Sequence, residues 1–159
     1  MKRGALISAT VVALAFLAVG CSSSKSSTPA PTTAAGGGVT VPAAGTPVAI
    51  EATDQSETAQ SFKFDKTSVA AGKVTFTFKN SGTRKHEMVV LKTDEVFDAL
   101  KVGADNKVSE DTSKGEIGET DAGKTGTVTI DLTPGKYVIV CNIEKHYAQG
   151  MRTAFTVTG

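Results

Sequence analysis

The sequence predicts an all-β protein, an antiparallel Greek-key β-sandwich or barrel with one short helix. Short runs that alternate between apolar and polar residues recur through residues 47–159, and turn residues separate them. In one such run, Val74, Phe76 and Phe78 fall on one face and polar residues on the other, as in a half-buried strand. About 110 residues organised in this way favour a sandwich or barrel.

Seven runs rich in β-branched and aromatic residues are predicted to be strands. They are Val48–Thr53, Ser61–Asp65, Val74–Lys79, His86–Lys92, Gly126–Leu132, Lys136–Cys141 and Thr153–Thr158. Turn residues lie between them at Ala71–Gly72, Asn80–Gly82 and Thr133–Gly135. In the last turn, Pro134 fixes φ near −65° and Gly135 tolerates a positive φ, which predicts a hairpin between the flanking runs.

One segment does not alternate. Between residues 93 and 124, apolar residues at 96, 97, 100 and 102 have a spacing closer to that of a helix, and acidic residues precede them. We therefore expect a short helix over one end of the sandwich. The acidic, Gly-containing remainder, up to residue 124, is interpreted as a long surface loop.

The N-terminal residues predict export. Lys2 and Arg3 give a charged start, and residues 5–19 are apolar apart from two hydroxyl side chains. A membrane-spanning helix typically needs about 20 apolar residues, so this stretch is short for one. We interpret residues 1–20 as a secretory signal peptide.

The signal peptide ends in a segment, Leu17 to Cys21, that resembles a bacterial lipobox, in which the cysteine becomes the lipid-modified first residue. We therefore expect an extracytoplasmic protein, anchored to the bacterial cell membrane through Cys21 on the periplasmic or cell-surface side. The alternative is ordinary cleavage that leaves Cys21 as a free thiol, which would be a liability in an oxidising compartment.

A tether is predicted to connect the anchor with the folded domain. Residues 21–46 are mostly Ser, Thr, Pro, Ala and Gly, with Lys25 as the only charge, and this composition has too little apolar surface to offset the entropy of ordering. A glycosylated stalk is the alternative for this segment. The folded domain is assigned to residues 47–159.

Charge argues against nucleic acid as a partner. Of the 17 basic residues, three precede residue 45, which leaves 14 in the folded part against all 16 acidic residues, a net charge of −2. Nucleic-acid binding depends on clustered Lys and Arg, and the sequence has no basic stripe. We expect a monomer.

Metal-binding side chains are scarce in residues 47–159, which contain two histidines, one cysteine and two methionines. Cys141 ends a predicted strand, His146 follows after four intervening residues, and Met151 after four more. These three side chains therefore share one predicted loop between strands, whereas His86 begins a separate strand.

Thiolate and thioether ligands combined with two imidazoles favour copper that cycles between two oxidation states, with trigonal geometry and a weak axial Met. We predict one type 1 copper ion, held by His86, Cys141, His146 and Met151.

Each of these residues alone has a simpler interpretation. Cys141 could be a small buried hydrophobe, His86 a solvated imidazole at a strand end, and Met151 part of the core. Met88 is predicted to fill the core, although it shares a strand face with His86 and is a minor candidate for the axial position. The joint occurrence of the four ligands favours the metal site.

The run PGKYVIVCNIEKHYAQGM, residues 134–151, resembles the C-terminal copper motif of cupredoxins such as plastocyanin, azurin, auracyanin and rusticyanin. The spacing of four and four looks most like the last two. The resemblance extends over about residues 48–159, and it implies that His86 takes the place of the family's first ligand.

Two residues depart from the family pattern. Many cupredoxins have Asn or Ser directly after the first His, where the side chain hydrogen-bonds near the cysteine, whereas this chain has Glu87. A small residue commonly follows two places after the axial Met, whereas this chain has Thr153. Neither departure removes a ligand.

The resemblance implies an electron-transfer protein that cycles copper between Cu(II) and Cu(I). Redox partners would contact the surface near His146, with Tyr147, Ala148 and Gly150 as part of an apolar patch. Copper storage or trafficking at the same site is the second hypothesis, and a metal-free adhesion or structural lipoprotein is the third. Since both histidines are assigned to copper, none remains for a three-histidine catalytic metal or a Ser-His-Asp triad, and we do not expect an enzyme.

Overall fold

The structure, a computed structural model, describes residues 45–159, which form two packed β-sheets. The strands in this part of the chain are β1 (Thr46–Ser56), β2 (Ala59–Phe64), β3 (Ser68–Ala70), β4 (Gly72–Asn80), β5 (His86–Lys92), β6 (Ser113–Thr120), β7 (Thr125–Leu132), β8 (Gly135–Val140) and β9 (Arg152–Thr158). The predicted signal peptide, Cys21 and all but the last two residues of the tether lie outside the described residues.

The first sheet has the strand order β2-β1-β4-β7, and the second has the order β3-β9-β8-β5-β6. The prediction of an all-β sandwich is confirmed. Five of the seven strand pairs in the described residues are antiparallel, as predicted, whereas β1 pairs with β4 in parallel and β3 pairs with β9 in parallel. A parallel pair requires a crossover connection. Here the chain reaches β4 from β1 through β3, which belongs to the other sheet.

The main core lies between the two sheets and follows the predicted alternation. Val74, Phe76 and Phe78 of β4 are fully buried, and burial of each such side chain contributes about 1.5–3 kcal/mol to stability. Cys141 and Met151 belong to the same core. All seven predicted strands are present, with ends that differ from the prediction by at most three residues.

The predicted long loop contains a strand. Residues 113–120 form β6, whose polar, Gly-containing sequence gives little strand signal of its own. The strand forms because its backbone pairs with the edge of β5, from His86 opposite Thr120 to Leu91 opposite Ser113, with a shift of register near each end.

The predicted short helix is wrong. Residues 93–102 are irregular, with a turn at 97–98 and an isolated β-bridge from Val102 to Val108. No helix is present in residues 45–159, so none there could span a membrane. Tyr147 supplies the physical reason. Its hydroxyl accepts a hydrogen bond from the Leu100 amide (2.9 Å) and donates one to the Phe97 carbonyl (3.0 Å), so these backbone groups are satisfied by a side chain instead of by a further helical turn.

The predicted hairpin at Thr133–Gly135 is also wrong. Gly135 does have a positive φ of 149°, but β7 and β8 belong to different sheets, so the connection crosses from one sheet to the other. The hydroxyl of Tyr137 donates a hydrogen bond to the Thr133 carbonyl (2.7 Å) and holds this corner.

A second, smaller core covers the outer face of the second sheet. Four of its side chains come from β5 and β8, one from the segment between β5 and β6, and one from the segment between β8 and β9: Val89, Leu91, Val138, Val140, Val108 and Tyr147. Strands β5 and β8 are therefore buried on both faces.

Candidate metal centre

The predicted ligands meet at one end of the second sheet. His86 is the first residue of β5, and Cys141 follows the last residue of β8. These strands are hydrogen-bonded neighbours, with Val89 opposite Val140. Adjacent strands therefore bring together side chains that lie 55 positions apart in the sequence.

The ligand atoms of His86, Cys141 and His146 all lie within 4.8 Å of one another. The Sγ atom of Cys141 is 3.3 Å from Nδ1 of His146, and the centroids of the two imidazole rings are 5.1 Å apart. His86 and Cys141 are fully buried, and His146 is 7% exposed. Three metal-binding side chains thus converge on one point in the protein interior.

The backbone of the ligand loop, residues 141–151, is closed by its own hydrogen bonds. The Cys141 amide donates to the Met151 carbonyl, and the Met151 amide donates to the His146 carbonyl, both at 3.0 Å. Gly150 has φ of 115°, and a Cβ atom there would lie only 2.7 Å from the Gln60 carbonyl oxygen. The loop therefore packs against β2 at a distance that only glycine allows.

Asn142 attaches the ligand loop to the segment between β5 and β6. Its side-chain oxygen accepts a hydrogen bond from the Val108 amide (2.8 Å), and its side-chain nitrogen donates to the Val108 carbonyl (2.9 Å) and to the Glu110 carboxylate (2.6 Å). Asn142 and Val108 are both buried, so the two bonds between them are shielded from water.

The imidazole of His86 has one ring nitrogen that is available to bind a metal. Its Nε2 atom is 2.9 Å from a carboxylate oxygen of Asp54, whereas its buried Nδ1 atom has no hydrogen-bond partner in the described part of the chain. A buried nitrogen without a partner is costly unless it binds something else. With Sγ of Cys141 and Nδ1 of His146 close by, the bare Nδ1 of His86 fits a bound metal ion.

The protonation states of the ligands suit metal binding. Burial lowers the pKa of both His86 and His146, so both imidazoles are neutral at neutral pH. Burial raises the pKa of the Cys141 thiol to about 12, although the Glu87 amide, 3.4 Å from the sulfur, opposes the shift. The thiol must therefore release its proton when a metal binds.

Glu87 contacts the cysteine through its backbone and not through its side chain, since it is the amide that approaches Sγ. The departure from the family's Asn or Ser at this position therefore leaves one hydrogen bond to the sulfur in place. Burial, followed by repulsion from Glu110, raises the pKa of the Glu87 carboxyl.

The two buried methionines, Met88 and Met151, both lie in the main core beside Cys141. Met151 is also joined to Cys141 and His146 by backbone hydrogen bonds. Its role as the axial ligand stays a prediction.

Tyr147 does not belong to an exposed patch. It is 4% exposed and points into the second core, where its hydroxyl holds residues 97 and 100 and the Arg152 guanidinium lies 5.1 Å from its ring centroid. Ala148 is exposed and Gly150 is partly exposed, as a surface around His146 would require.

Asp54 and Asn142 were not predicted from the sequence as supports of the site. Asp54 lies on β1, 32 positions before His86, and a single carboxylate in a strand carries no signal of a partner that distant. Asn142 follows Cys141 directly, and its burial became evident only with the fold. A polar residue directly after an apolar strand is the one signal that could have pointed to Asn142.

Comparison with known proteins supports the metal site. A family model described as copper binding proteins, plastocyanin/azurin family, matches residues 49–158. Among curated proteins, none matches the sequence significantly. Solved structures of similar fold include a dithionite-reduced auracyanin from the photosynthetic bacterium Roseiflexus castenholzii, with 28% identity over 70% of this chain and 97% of that chain, and a TM-score of 0.53.

Two further solved structures are similar to this chain in fold alone. Rusticyanin from Thiobacillus ferrooxidans has 22% identity over 72% of this chain and 79% of that chain, with a TM-score of 0.55. An azurin from Methylomonas sp. strain J has 17% identity over 73% of this chain and 100% of that chain, with a TM-score of 0.51. The matched residues 49–158 contain all three convergent ligands, and two imidazoles with one thiolate are the donor set of a single type 1 copper ion.

Proposed function

Because the chain belongs to the plastocyanin/azurin family of copper-binding proteins, we propose that it is an extracytoplasmic blue-copper protein that carries single electrons. The observation that carries the proposal is the buried convergence of His86, Cys141 and His146. When bound, copper supplies a one-electron exchange between Cu(II) and Cu(I).

The chain's own residues provide a rigid, dry site. His86 and His146 offer neutral imidazoles, Cys141 offers a thiolate once its proton is released, and Met151 is proposed as the weak axial ligand. His86 and Cys141 are held at the ends of two doubly buried strands, and the loop with His146 and Met151 is closed by its own hydrogen bonds, so the site has little freedom to rearrange. Small rearrangement is what rapid electron exchange requires, and both histidines are used by the metal, so we assign no enzymatic reaction.

We propose that redox partners contact the surface around His146. Its imidazole is the only one of the three described ligands with any exposed area, and Ala148 beside it is exposed. A patch of this kind supports a small, transient contact, as is usual for redox partners. The arrangement calls for neither nucleic acid nor a second copy of the chain.

The alternative function is copper storage or trafficking with the same ligands. Proteins that hand over copper would favour exposed methionines, but both methionines in residues 45–159 are fully buried. This observation favours electron transfer.

The variant Met151→Leu separates the two functions. An axial thioether that only tunes the site should leave copper and colour in place, and its replacement by a hydrocarbon should raise the reduction potential. Reduced-copper affinity and midpoint potential are measured on the same preparation. The control is Met88→Leu, a conservative change in the same core, which should alter neither value. A large loss of Cu(I) affinity with little shift in potential would instead support copper handling.

We also propose that Cys21 carries a lipid that anchors the protein to the outer side of the cell membrane. One or two acyl chains, and not a spanning helix, would provide the attachment. Replacement of Cys21 by Ala, with cleavage still permitted, should release the protein from the membrane fraction. Wild-type protein found wholly in the soluble fraction of the cell envelope would favour plain secretion.

A further inference from the structure

The carboxylate of Asp54 is held between His86 and the loop that precedes it. One oxygen, Oδ1, lies 2.9 Å from Nε2 of His86. The other, Oδ2, accepts hydrogen bonds from the Thr83 amide (2.6 Å), the Thr83 hydroxyl (3.0 Å) and the Arg84 amide (3.2 Å). The Asp54 side chain is only 10% exposed, and both of its oxygens have protein hydrogen-bond partners.

This contact selects one tautomer of His86. An ionised carboxylate can only accept hydrogen bonds, so the hydrogen between the two groups belongs to Nε2 of the imidazole. In the neutral ring, Nδ1 is then left without a hydrogen, and it is this atom that is buried without a partner. The tautomer that Asp54 selects is therefore the one that leaves Nδ1 free to bind copper.

Gly82 makes room for the pair. A Cβ atom at this position would lie 2.6 Å from Oδ2 of Asp54 and 3.0 Å from Nε2 of His86. Its φ is not in the left-handed region, so the glycine is required by close packing and not by backbone conformation. Any larger residue would displace the carboxylate or the ring.

We propose that Asp54 is a positioning residue of the copper site, which fixes the orientation and tautomer of His86 and lowers the reduction potential of the bound copper. A carboxylate that accepts from a ligating imidazole makes that imidazole a better donor. A negative charge in contact with a copper ligand also favours the more highly charged Cu(II) over Cu(I). Both effects act in the same direction. The inference rests on the proposed electron-transfer function and adds that β1 helps to set its driving force.

The competing explanation is that Asp54 only anchors the loop at residues 82–84. Three of its four hydrogen bonds go to that loop, so removal of the side chain would destabilise the fold under either explanation. The decisive readouts are therefore the ring tautomer and the reduction potential, which a loop anchor would not change.

The principal variant is Asp54→Asn in the full chain. All partners of the Asp54 carboxylate are hydrogen-bond donors. The side chain of Asn has only one oxygen, so its NH2 group must face either His86 or the donors of the loop. If the NH2 group faces His86, the selected tautomer is lost. We expect Cu(II) affinity to fall by about 10- to 100-fold, as is typical when the partner of a metal-binding histidine is removed. Cu(I) affinity should fall about tenfold less, which corresponds to a rise in potential of about 59 mV.

Two control variants separate the carboxylate from the loop. Thr83→Val removes one bond to Oδ2 but keeps both the charge and the contact with His86, so it should lower stability without a shift in potential. Asp54→Glu keeps the charge and should retain more of the wild-type potential than Asp54→Asn does. Should Asp54→Asn fail to fold, Gly82→Ala displaces the carboxylate without removing it and provides the same two readouts.

The second readout needs no copper. The chain has two histidines, His86 and His146, so nitrogen-15 NMR of histidine-labelled, metal-free protein can follow each ring. We expect the Nε2–H tautomer at His86 in the wild type and a mixed or Nδ1–H population in Asp54→Asn. This measurement decides the positioning role even if the wild type fails to bind copper, an outcome that would overturn the proposed function by itself.

A change of tautomer and a raised potential in Asp54→Asn, with both unchanged in Thr83→Val, would support the inference. It would be overturned if Asp54→Asn lowered stability while the tautomer of His86 stayed the same. It would equally be overturned if Thr83→Val changed the tautomer or the potential as much as Asp54→Asn, because the loop and not the carboxylate would then be responsible.

Discussion

Replacement of Asn142 by Ala should weaken the attachment of the ligand loop to the rest of the domain. The two hydrogen bonds to the Val108 backbone contribute about 0.5–1.5 kcal/mol each, and the bond to the Glu110 carboxylate about 1.5–3 kcal/mol. Glu110 is exposed and can bind water instead, whereas the Val108 amide and carbonyl become buried without partners. We therefore expect a loss of about 2–4 kcal/mol in the free energy of unfolding.

The loss is measured by urea unfolding of the metal-free full chain, followed by circular dichroism. Metal-free protein is required because a ligand that binds only the folded state adds its own stabilisation. The matched control is Ser109→Ala, on the same segment, whose exposed hydroxyl accepts one hydrogen bond from the Asp111 amide at 3.2 Å. The control should change the free energy of unfolding by less than about 0.5 kcal/mol. If Asn142→Ala changed it as little as the control does, the reasoning about these buried hydrogen bonds would be refuted.

Two further predictions concern packing and charge. Gly150→Ala should destabilise the metal-free protein by about 2 kcal/mol or more beyond Gly123→Ala. Both glycines have a positive φ, but only at Gly150 would a Cβ atom lie against the Gln60 carbonyl. Equal losses of stability on urea unfolding would contradict this prediction. The side-chain hydrogen bond from Lys66, 2.7 Å away, lowers the pKa of Asp65 below its usual value. The contribution of Asp65 to stability is therefore present above the unfolded pKa of about 3.9 and is lost as the pH falls through the lower folded pKa. Asp65→Asn should therefore reduce the dependence of stability on pH below about pH 4, and an unchanged acid-unfolding curve would count against it.

The strands that could be predicted are those whose own residues carry the pattern. β4 alternates Val, Phe and Phe with polar residues. The apolar residues are buried, and the polar residues between them are exposed or partly exposed. β6 could not be predicted, because its residues are polar and its strand conformation depends on an edge of β5 that is absent from the local sequence. β3 has three residues and pairs only with β9, far along the chain.

The predictions of a helix and of a hairpin were wrong for the same reason, which is that tertiary contacts override the local pattern. The spacing of apolar residues at 96–102 favours a helix locally, but Tyr147, some 50 residues later, binds the backbone of that segment. The turn at Thr133–Gly135 has the residues of a hairpin, but Tyr137 stabilises it as a corner between sheets. Local turn chemistry determines the conformation of the turn and not the sheet to which the next strand belongs.

The three convergent ligands were predictable from their scarcity and spacing, since two histidines and one cysteine in residues 47–159 leave few ways to form a site. Their supporting residues were not. Asp54 contacts His86 because β1 pairs with β4, and His86 follows the loop after β4. Asn142 forms hydrogen bonds with Val108, which lies 34 positions earlier in the chain. Such contacts become visible with the topology and not before it.

The most direct test of the copper site is the visible absorption spectrum of the full chain after addition of Cu(II). A copper–thiolate bond gives intense visible charge transfer, so the wild type should become strongly coloured with one copper per chain. The colour should persist in Cys21→Ala, the matched cysteine control, and should disappear in Cys141→Ser. A band that remains in Cys141→Ser, or a wild type that binds copper without colour, would contradict the assignment of His86, Cys141 and His146 as a type 1 site.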